Sequence, residues 1–175
     1  AFVLADDQRI VDRASKLKCI KYGTVDSAEV KGKLIAADPF VKWAGGKSQL
    51  LDQYSSLFPP RYKKYIEPFV GGGAVFFYLK PSSAILGDLN HDLVQCYAVI
   101  KSNVQKLIEV LKEYQKSHSK DFYTKLRDRY NQNSLSKIER AGAFIYLNKT
   151  GFNGLHRVNS KGEFNVPFEY QFYQH

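Results

Sequence analysis

Scarce cysteine and the lack of a long apolar segment exclude several classes of protein. Among 175 residues there are two cysteines, Cys19 and Cys96, and neither belongs to a Cys/His pattern with metal-ligand spacing. We therefore expect two ordinary thiols, buried or half-buried, with no disulfide framework and no bound metal. No apolar run approaches the roughly eighteen residues of a membrane span, and the N-terminus lacks the basic-then-apolar pattern of a signal peptide. These absences predict a protein of the cell interior.

Acidic residues are also few in comparison with basic ones. Lysine and arginine total 26 against 17 aspartates and glutamates, which gives a formal charge of +9. A charge of this sign attracts polyanions, although many basic proteins never bind DNA. With 44% apolar residues the chain can form a packed core, as one domain or a large piece of one.

A glycine-rich turn is the most informative local feature that is present. Gly71-Gly72-Gly73 separates the segment 64–70 from the apolar run 74–79, an order that predicts a strand, a tight turn and a helix. A nucleotide-like ligand can approach the bare backbone of such a turn closely. Asp88 follows the next short apolar run. Its separation in sequence from the glycine turn is typical of an acid that binds the two hydroxyls of a ribose. The pattern indicates an adenosine-containing cofactor. The alternative is that Gly-x-Gly marks a tight turn and no ligand site.

Two other nucleotide sites are disfavoured by single positions. A dinucleotide fold usually has a third glycine where this chain has Phe76, so a cofactor without a pyrophosphate bridge fits better. Gly46-Lys47-Ser48 imitates the end of a phosphate-binding P-loop, but Val41 occupies the place of its first glycine. A P-loop nucleotide triphosphatase is therefore a remote alternative.

The rest of the chain is predicted to be mostly helical. A helix over 49–57 should end at Pro59-Pro60, and 90–147 should be helical with a second helical segment from 136. Residues 6–18 show weak helical periodicity, and 19–30 could form strand and loop. The apolar positions that define the two longer helices are Leu93, Tyr97, Ile100, Val104, Leu107, Ile108 and Leu111, then Ile138, Ala141, Phe144 and Ile145.

Turn residues dominate between Thr150 and Phe168 and predict a β-hairpin. Such a hairpin can enter a DNA groove, where an arginine such as Arg157 reads guanine through paired hydrogen bonds. An ordinary hairpin with a solvated arginine is the alternative. We expect His156 to be a surface residue, since no other histidine is near it in sequence.

Five blocks, in this order, resemble the Dam-type (D12 class) site-specific DNA adenine-N6 methyltransferases. The resemblance covers roughly Pro39 to Phe168. The blocks are Lys42-Trp43-Ala44-Gly45-Gly46-Lys47, Glu67-Pro68-Phe69-Val70-Gly71-Gly72-Gly73, Asp88-Leu89-Asn90, Leu147-Asn148-Lys149-Thr150-Gly151-Phe152-Asn153-Gly154-Leu155 with Arg157, and Glu163-Phe164-Asn165-Val166-Pro167-Phe168.

The resemblance implies an α/β fold, a Rossmann-like S-adenosylmethionine-dependent methyltransferase sheet, incomplete here, with a helical and β-hairpin insertion for target recognition. It implies methyl transfer from S-adenosylmethionine to N6 of adenine in double-stranded DNA, with GATC as the expected site. The implied cofactor-binding residues are Trp43, Gly45, Lys47, Phe69, Gly71, Gly73 and Asp88, with Trp43 and Lys47 at the methionine end and Asp88 on the ribose. The implied DNA-binding residues are Lys42, Phe152, Asn153, Leu155 and Arg157; Phe152 and Asn153 would press against the base stack, and Leu155 and Arg157 would read base edges.

One part of the family's pattern is missing from the sequence. Members grip the target amino group with an Asp- or Asn-Pro-Pro-aromatic tetrapeptide, whereas the only Pro-Pro here, Pro59-Pro60, follows Phe58 and precedes Arg61. We expect a truncated N-terminal portion that holds no catalytic residue, with a non-catalytic DNA-binding fragment as the alternative. The absence of methionine and the start at Ala1 favour a fragment or processed piece.

The expected organisation has four parts. They are an unassigned extension over 1–37, the start of the catalytic domain with its cofactor loop over 38–90, a recognition region over 91–168, and the return to the catalytic domain over 169–175. The expected partner is double-stranded DNA, and no membrane association is expected. A cognate restriction endonuclease could belong to the same system without forming a stable complex. The expected location is the cytoplasm, with the DNA of a bacterial, archaeal or phage-infected cell.

Overall fold

The computed structural model describes residues 19–23 and 39–169. The chain forms two compact units: the first comprises the residues up to Pro39 and Gly45–Val94, and the second comprises Phe40–Ala44 and Gln95–His175. The helix predicted over 6–18 lies outside the described residues. Within the described residues, no helix is both long enough and apolar enough to cross a membrane.

A three-stranded mixed sheet forms the centre of the first unit. Its strands are β1 (Cys19–Gly23), β2 (Tyr65–Glu67) and β3 (Ser83–Gly87), in the order β1-β3-β2. β2 runs parallel to β3, and β1 runs antiparallel to it, with Cys19 opposite Gly87. The α/β class and the two strands beside the glycine turn are confirmed. The strand expected somewhere in 19–30 is β1, which joins the sheet from outside the segment of family resemblance.

Short helices accompany the sheet in the first unit. The predicted helix over 49–57 is instead three consecutive turns, a 3-10 turn (Lys47–Leu50), α1 (Leu51–Tyr54) and a second 3-10 turn (Ser55–Leu57). They end at Phe58, whose extended backbone is the conformation favoured before proline. The crossover between the parallel strands contains α2 (Ala74–Leu79), whose first four residues are buried.

The long helix α3 (His91–Lys116) is kinked at Asn103, where φ is −145° and ψ is 37°. The single apolar stripe predicted for this segment was therefore only partly correct beyond the kink. Leu93, Tyr97 and Leu107 are buried, whereas Val104 and Ile108 are exposed. A break in helical geometry resets which positions share a face, so the 3.6-residue period cannot be extended across it.

Serine caps begin the two remaining helices. The Ser119 hydroxyl accepts a hydrogen bond from the Phe122 N–H at the start of α4 (Lys120–Asn131). Ser136 and Glu139 form a reciprocal capping box at the start of α5 (Lys137–Thr150), since each side chain accepts the other's main-chain N–H. These bonds satisfy N–H groups that have no partner within the helix.

The predicted inner face of α5 was too narrow. Ala141 and Phe144 are buried as expected, but Ile138 and Ile145 are only partly buried. The helix buries eight residues, on more than one side: Ala141, Gly142, Ala143, Phe144, Tyr146, Leu147, Asn148 and Thr150. Neighbouring elements surround it, so its burial does not follow a single amphipathic stripe.

The segment that follows α5 is less regular than the predicted β-hairpin. It contains a 3-10 turn (Phe152–Gly154) and two isolated antiparallel bridges, Gly151 to Phe168 and Val158 to Phe164, in place of continuous strands. The Asn159 side chain closes the tip, since its Oδ1 accepts hydrogen bonds from the N–H groups of Lys161 and Glu163. Side-chain bonds to the backbone thus replace part of a strand ladder.

Candidate functional site

The glycine turn and Asp88 come together at the carboxyl ends of the two parallel strands. Gly71 and Gly73 have φ values of +52° and +78°, a left-handed backbone that most side chains disfavour, so both positions favour glycine. The Asp88 carboxylate accepts hydrogen bonds from the Gly71 N–H and the Asn90 N–H, both at 2.9 Å. The predicted carboxylate therefore lies beside the predicted loop and holds it in place.

Lys47 is joined to the same loop through a buried carboxylate. Its ammonium donates to Glu67 Oε1 at 2.9 Å and to the Phe69 carbonyl at 2.7 Å. The other carboxylate oxygen of Glu67 accepts from the Tyr65 hydroxyl at 2.7 Å, and Glu67 is only 4% exposed. An ammonium has three donors, so one remains for a ligand after these two bonds.

The other predicted cofactor residues have different surroundings. Gly45 lies exposed in the turn before Lys47, and Phe69 is 56% exposed beside the glycine loop. Trp43 is the one predicted cofactor residue that belongs to the second unit. There its indole stacks on the His156 ring, with 5.2 Å between ring centroids.

The P-loop alternative receives no support from this geometry. Residues 39–46 form irregular chain with a turn, not the strand that should precede a phosphate-binding loop. Lys47 is also engaged with Glu67 and the Phe69 carbonyl. No group of three or more His, Cys, Asp or Glu side chains within the described ranges could hold a metal ion.

The predicted DNA-binding residues all belong to the second unit. Lys42 is exposed, and its main chain is hydrogen bonded to the side chain of Asn148. The same Asn148 carboxamide donates to the Gly154 carbonyl at 2.8 Å. The structure thus brings the Lys42 segment and the turn after α5 together, although about a hundred residues separate them in sequence.

Three residues of the turn present exposed side chains. Phe152 is 48% exposed and Leu155 is 37% exposed. Asn153, also exposed, has a φ of +55°, and its N–H donates to the Glu169 carboxylate at 2.9 Å. This bond fixes the apex of the turn, so the apolar side chains on either side of it project from a defined backbone.

Arg157 is exposed and held from one side. Its Nε donates to Asn165 Oδ1 at 2.8 Å, and one terminal nitrogen lies 3.4 Å from the Asn165 carbonyl. Contacts on this edge orient the guanidinium plane, and its other terminal nitrogen makes no bond within the described residues. A planar guanidinium fixed in this way is suited to paired hydrogen bonds with a base edge or a phosphate.

His156 was expected at the surface but is partly buried among aromatic rings. Its ring lies 5.5 Å from Phe144 and 5.6 Å from Phe164, in addition to the stack on Trp43. These ring contacts hold the His156 side chain and so constrain the backbone between Leu155 and Arg157. The neighbours of His156 in sequence gave no sign of these contacts, since Trp43 precedes it by more than a hundred residues.

Two lysines concentrate positive charge beside the turn. Partial burial, and then the positive charge of Lys42, lower the pKa of the Lys149 ammonium. An anion placed near both groups would relieve their mutual repulsion. Lys149 was not among the residues predicted to bind DNA, although it lies within a quoted block.

Glu67, Asn148 and Asn165 are further polar residues that the sequence analysis quoted without giving them a role. Each holds a predicted site residue, namely Lys47, Lys42 and Arg157 in turn. Glu67 and Asn148 are almost completely buried, at 4% and 1% exposure. The only signal in the sequence was that each residue lies within a quoted block, and this did not identify its partner.

Comparison with known proteins agrees with the quoted blocks. The sequence pattern of the D12 class N6 adenine-specific DNA methyltransferase family matches residues 43–175. The chain is 47% identical over 133 residues to the Type II methyltransferase M1.LlaDCHI of Lactococcus lactis subsp. cremoris, which is 74% of this chain and 47% of that protein. It is 47% identical over 148 aligned positions to the Type II methyltransferase M.MjaIII of Methanocaldococcus jannaschii, covering 74% of this chain and 51% of that protein.

A third relative is the DNA adenine methylase of Haemophilus influenzae, 45% identical over 133 residues, which is 74% of this chain and 46% of that protein. The chain therefore spans about half the length of the curated relatives that it matches. The family match extends over far more than half of the chain and includes the glycine loop, Asp88 and the turn after α5. The chain belongs to the D12 class of N6 adenine-specific DNA methyltransferases.

Proposed function

We propose that this chain supplies the cofactor loop and the target-recognition surface of a site-specific DNA methyltransferase, which transfers a methyl group from S-adenosylmethionine to N6 of adenine in double-stranded DNA. GATC is the proposed recognition site. The observation that carries the proposal is the Asp88 carboxylate fixed against Gly71 at the carboxyl ends of parallel strands. In open α/β sheets, this is where ligands bind.

The residues of the first unit suit the cofactor. S-adenosylmethionine supplies an electrophilic methyl group when it is bound. Each Asp88 oxygen accepts one main-chain N–H and keeps lone-pair capacity for a ribose hydroxyl. Phe69 offers an exposed ring beside the loop, and Lys47 has one donor left for the cofactor's carboxylate. Gly45, Gly71 and Gly73 complete the proposed cofactor residues of this unit. Trp43, which the family resemblance also implies for the cofactor, belongs to the second unit.

The residues of the second unit suit a DNA groove. Phe152 and Asn153 would contact the base stack beside the target, where an adenine must leave the duplex before its amino group can react. Leu155 and Arg157 would read base edges. Lys42, with Lys149 nearby, would neutralise phosphate charge.

A non-catalytic DNA-binding fragment is the second candidate, and one observation favours it. The chain has no Asp- or Asn-Pro-Pro-aromatic tetrapeptide to hold the target amino group. In the main proposal, a part of the enzyme not included in this sequence supplies that group. Both candidates predict DNA binding, but only the enzyme requires a cofactor site.

Cofactor affinity tests the first unit. We expect isothermal titration calorimetry to detect binding of S-adenosylmethionine, and Asp88→Asn to weaken it about tenfold or more, since a hydrogen bond to a charged group contributes about 1.5–3 kcal/mol. Asp52→Asn, which changes an exposed acid of the same unit, is the matched control. Equal affinity in the Asp88 variant would remove Asp88 from the cofactor site.

DNA selectivity tests the second unit. Fluorescence anisotropy should show tighter binding to a GATC duplex than to a scrambled duplex, and Arg157→Ala should reduce that preference by about 1–3 kcal/mol. The control is Lys161→Ala, at the exposed tip of the same segment, which should weaken both duplexes equally. Equal loss on both duplexes in the Arg157 variant would contradict a base-reading role.

Transfer of labelled methyl to an unmethylated GATC duplex separates the two candidates, with an N6-methylated duplex as control. Transfer to the unmethylated duplex, with none to the methylated duplex and none by the Asp88→Asn variant, would mean that the complete site forms. Binding of both cofactor and DNA without transfer would mean that the amino-group ligand must be added. DNA binding without cofactor binding would favour the non-catalytic fragment.

A further inference from the structure

A single buried carboxamide connects the two parts of the proposed DNA-reading surface. Asn148, near the end of α5, is 1% exposed. Its Oδ1 accepts the Lys42 N–H at 2.9 Å, and its Nδ2 donates to the Lys42 carbonyl at 3.0 Å and the Gly154 carbonyl at 2.8 Å. Both donors and the acceptor are therefore used on main-chain groups of two separate segments.

Close packing accompanies these hydrogen bonds. A side-chain carbon added at Gly154 would collide with the aliphatic part of the Lys42 side chain. Lys42 therefore passes directly over the turn that carries Phe152 and Asn153. The Asn148 contacts fix the main chain on both sides of this approach, so they set where the Lys42 side chain begins relative to the turn.

The Lys42 segment has other anchors that do not involve Asn148. Val41 is 2% exposed, and the Phe40 ring packs edge-on against Tyr97 with 4.8 Å between centroids. Loss of the carboxamide should thus leave residues 40 and 41 in place. Its specific effect would fall on the next residue, Lys42, and on the turn at Gly154.

We propose that Asn148 is a positioning residue for DNA recognition, which holds Lys42 and the turn Phe152–Gly154 as one preassembled surface. This inference rests on the proposed function, in which both segments contact DNA. Asn148 itself is too buried to touch DNA, so it acts through Lys42 and the turn. Preorganisation of this kind improves affinity because the segments need not be ordered at the moment of binding.

The test compares Asn148→Ala, Lys42→Ala and the double variant by anisotropy with GATC and scrambled duplexes at several salt concentrations. The salt dependence is the slope of the logarithm of the binding constant against the logarithm of the salt concentration. If Asn148 acts through Lys42, each single variant should lower the size of this slope by about one, the value for one phosphate contact. The double variant should then lose no more of this salt dependence than either single variant. Asn148→Ala should also lose GATC preference, because the turn is released.

Ser136→Ala is the matched control, because it weakens the same helix at its opposite end. It should reduce thermal stability and leave affinity, salt dependence and GATC preference unchanged. If the Ser136 variant changes DNA binding as Asn148→Ala does, the effect is general destabilisation and the proposal is overturned. Additive losses in salt dependence for Asn148 and Lys42 would overturn it as well.

A DNA-free measurement separates this inference from the proposed function. Amide hydrogen exchange at Lys42 should accelerate in Asn148→Ala, while helical amides of α4 keep their protection. Should the alanine variant fail to fold, Asn148→Asp is tested by DNA binding instead: it keeps an acceptor for the Lys42 N–H but removes both donors, including the one to the Gly154 carbonyl, so it should lose GATC preference. If Asn148→Ala leaves Lys42 exchange unchanged, or leaves DNA binding unchanged, the positioning role of Asn148 is refuted and the proposed function is not affected. If the chain without substitutions binds no duplex, the proposed function is refuted as well.

Discussion

The ion pair between Lys47 and Glu67 gives an asymmetric prediction for stability. Glu67 is 4% exposed, whereas the Lys47 side chain is 33% exposed, and Nζ lies 2.9 Å from Oε1. Lys47→Met leaves a buried carboxylate with the Tyr65 hydroxyl as its remaining side-chain partner. Loss of one partner from a buried pair costs about 3–5 kcal/mol, and the partial exposure of this pair favours the lower end, about 3 kcal/mol.

The reverse substitution should cost much less. Glu67→Gln keeps an acceptor for Lys47 and a polar group for the Tyr65 hydroxyl, and loses only the added strength of a charged acceptor. That difference is about 1 kcal/mol, since net hydrogen bonds contribute about 0.5–1.5 kcal/mol when neutral and about 1.5–3 kcal/mol when charged. The double variant should be about 1–2 kcal/mol more stable than Lys47→Met alone, because no unpaired carboxylate remains.

Urea unfolding monitored by far-ultraviolet circular dichroism measures these free energies. Lys125→Met is the matched control, because Lys125 pairs with Asp121 at 2.8 Å while both side chains are more than 70% exposed. An exposed helical pair of this kind contributes only about 0.3–0.5 kcal/mol. The reasoning is refuted if Lys47→Met costs no more than Lys125→Met, or if Glu67→Gln is the more damaging of the two changes.

Three further predictions concern the helices of the second unit. Ser136→Ala should lower the free energy of unfolding by about 1 kcal/mol in urea titrations, because it removes the capping side chain of α5; no change would mean that water replaces the cap. Hydrogen bonds from Ser136 lower the pKa of Glu139. The stability that these bonds contribute is therefore present above the unfolded pKa of Glu139 and is lost as pH falls through its folded pKa. The Ser136→Ala variant should accordingly show a weaker acid dependence of Tm. Burial, and then the charge of Glu139, raise the pKa of Tyr114 to about 12, so stability is complete below the unfolded value of about 10 and falls as pH rises from there to about 12. Tyr114→Phe should flatten this alkaline decline in Tm, and an unchanged slope would assign the decline to other groups.

Local features of the chain were predictable where neighbouring residues decide them. The order of strand, glycine turn and helix around Gly71 was correct, because turn geometry and the apolar run depend on adjacent residues. The mostly helical character of 90–147 followed from its apolar period. Prediction failed where a local break or the surroundings dominate, at the Asn103 kink and in the breadth of the buried surface of α5.

The candidate site divides in the same way. The sequence predicted which residues would carry chemistry, including Asp88, Lys47 and Arg157, because their types and order resemble those of a family. It did not indicate what holds them. Glu67, Asn148 and Asn165 perform that role through hydrogen bonds to Lys47, Lys42 and Arg157.

By itself, the sequence determined the family, the glycine turn and the helical character of residues 90–147, since these rest on residue order and short-range preferences. The tertiary structure decided the antiparallel addition of β1, the approach of Lys42 to Gly154 and the bonds of Asn148. Lys42 and Asn148 are 106 residues apart, and their hydrogen bond depends on how helices and loops pack between them. A buried polar side chain must find its partners in the folded chain, and only the folded arrangement specifies which groups those are.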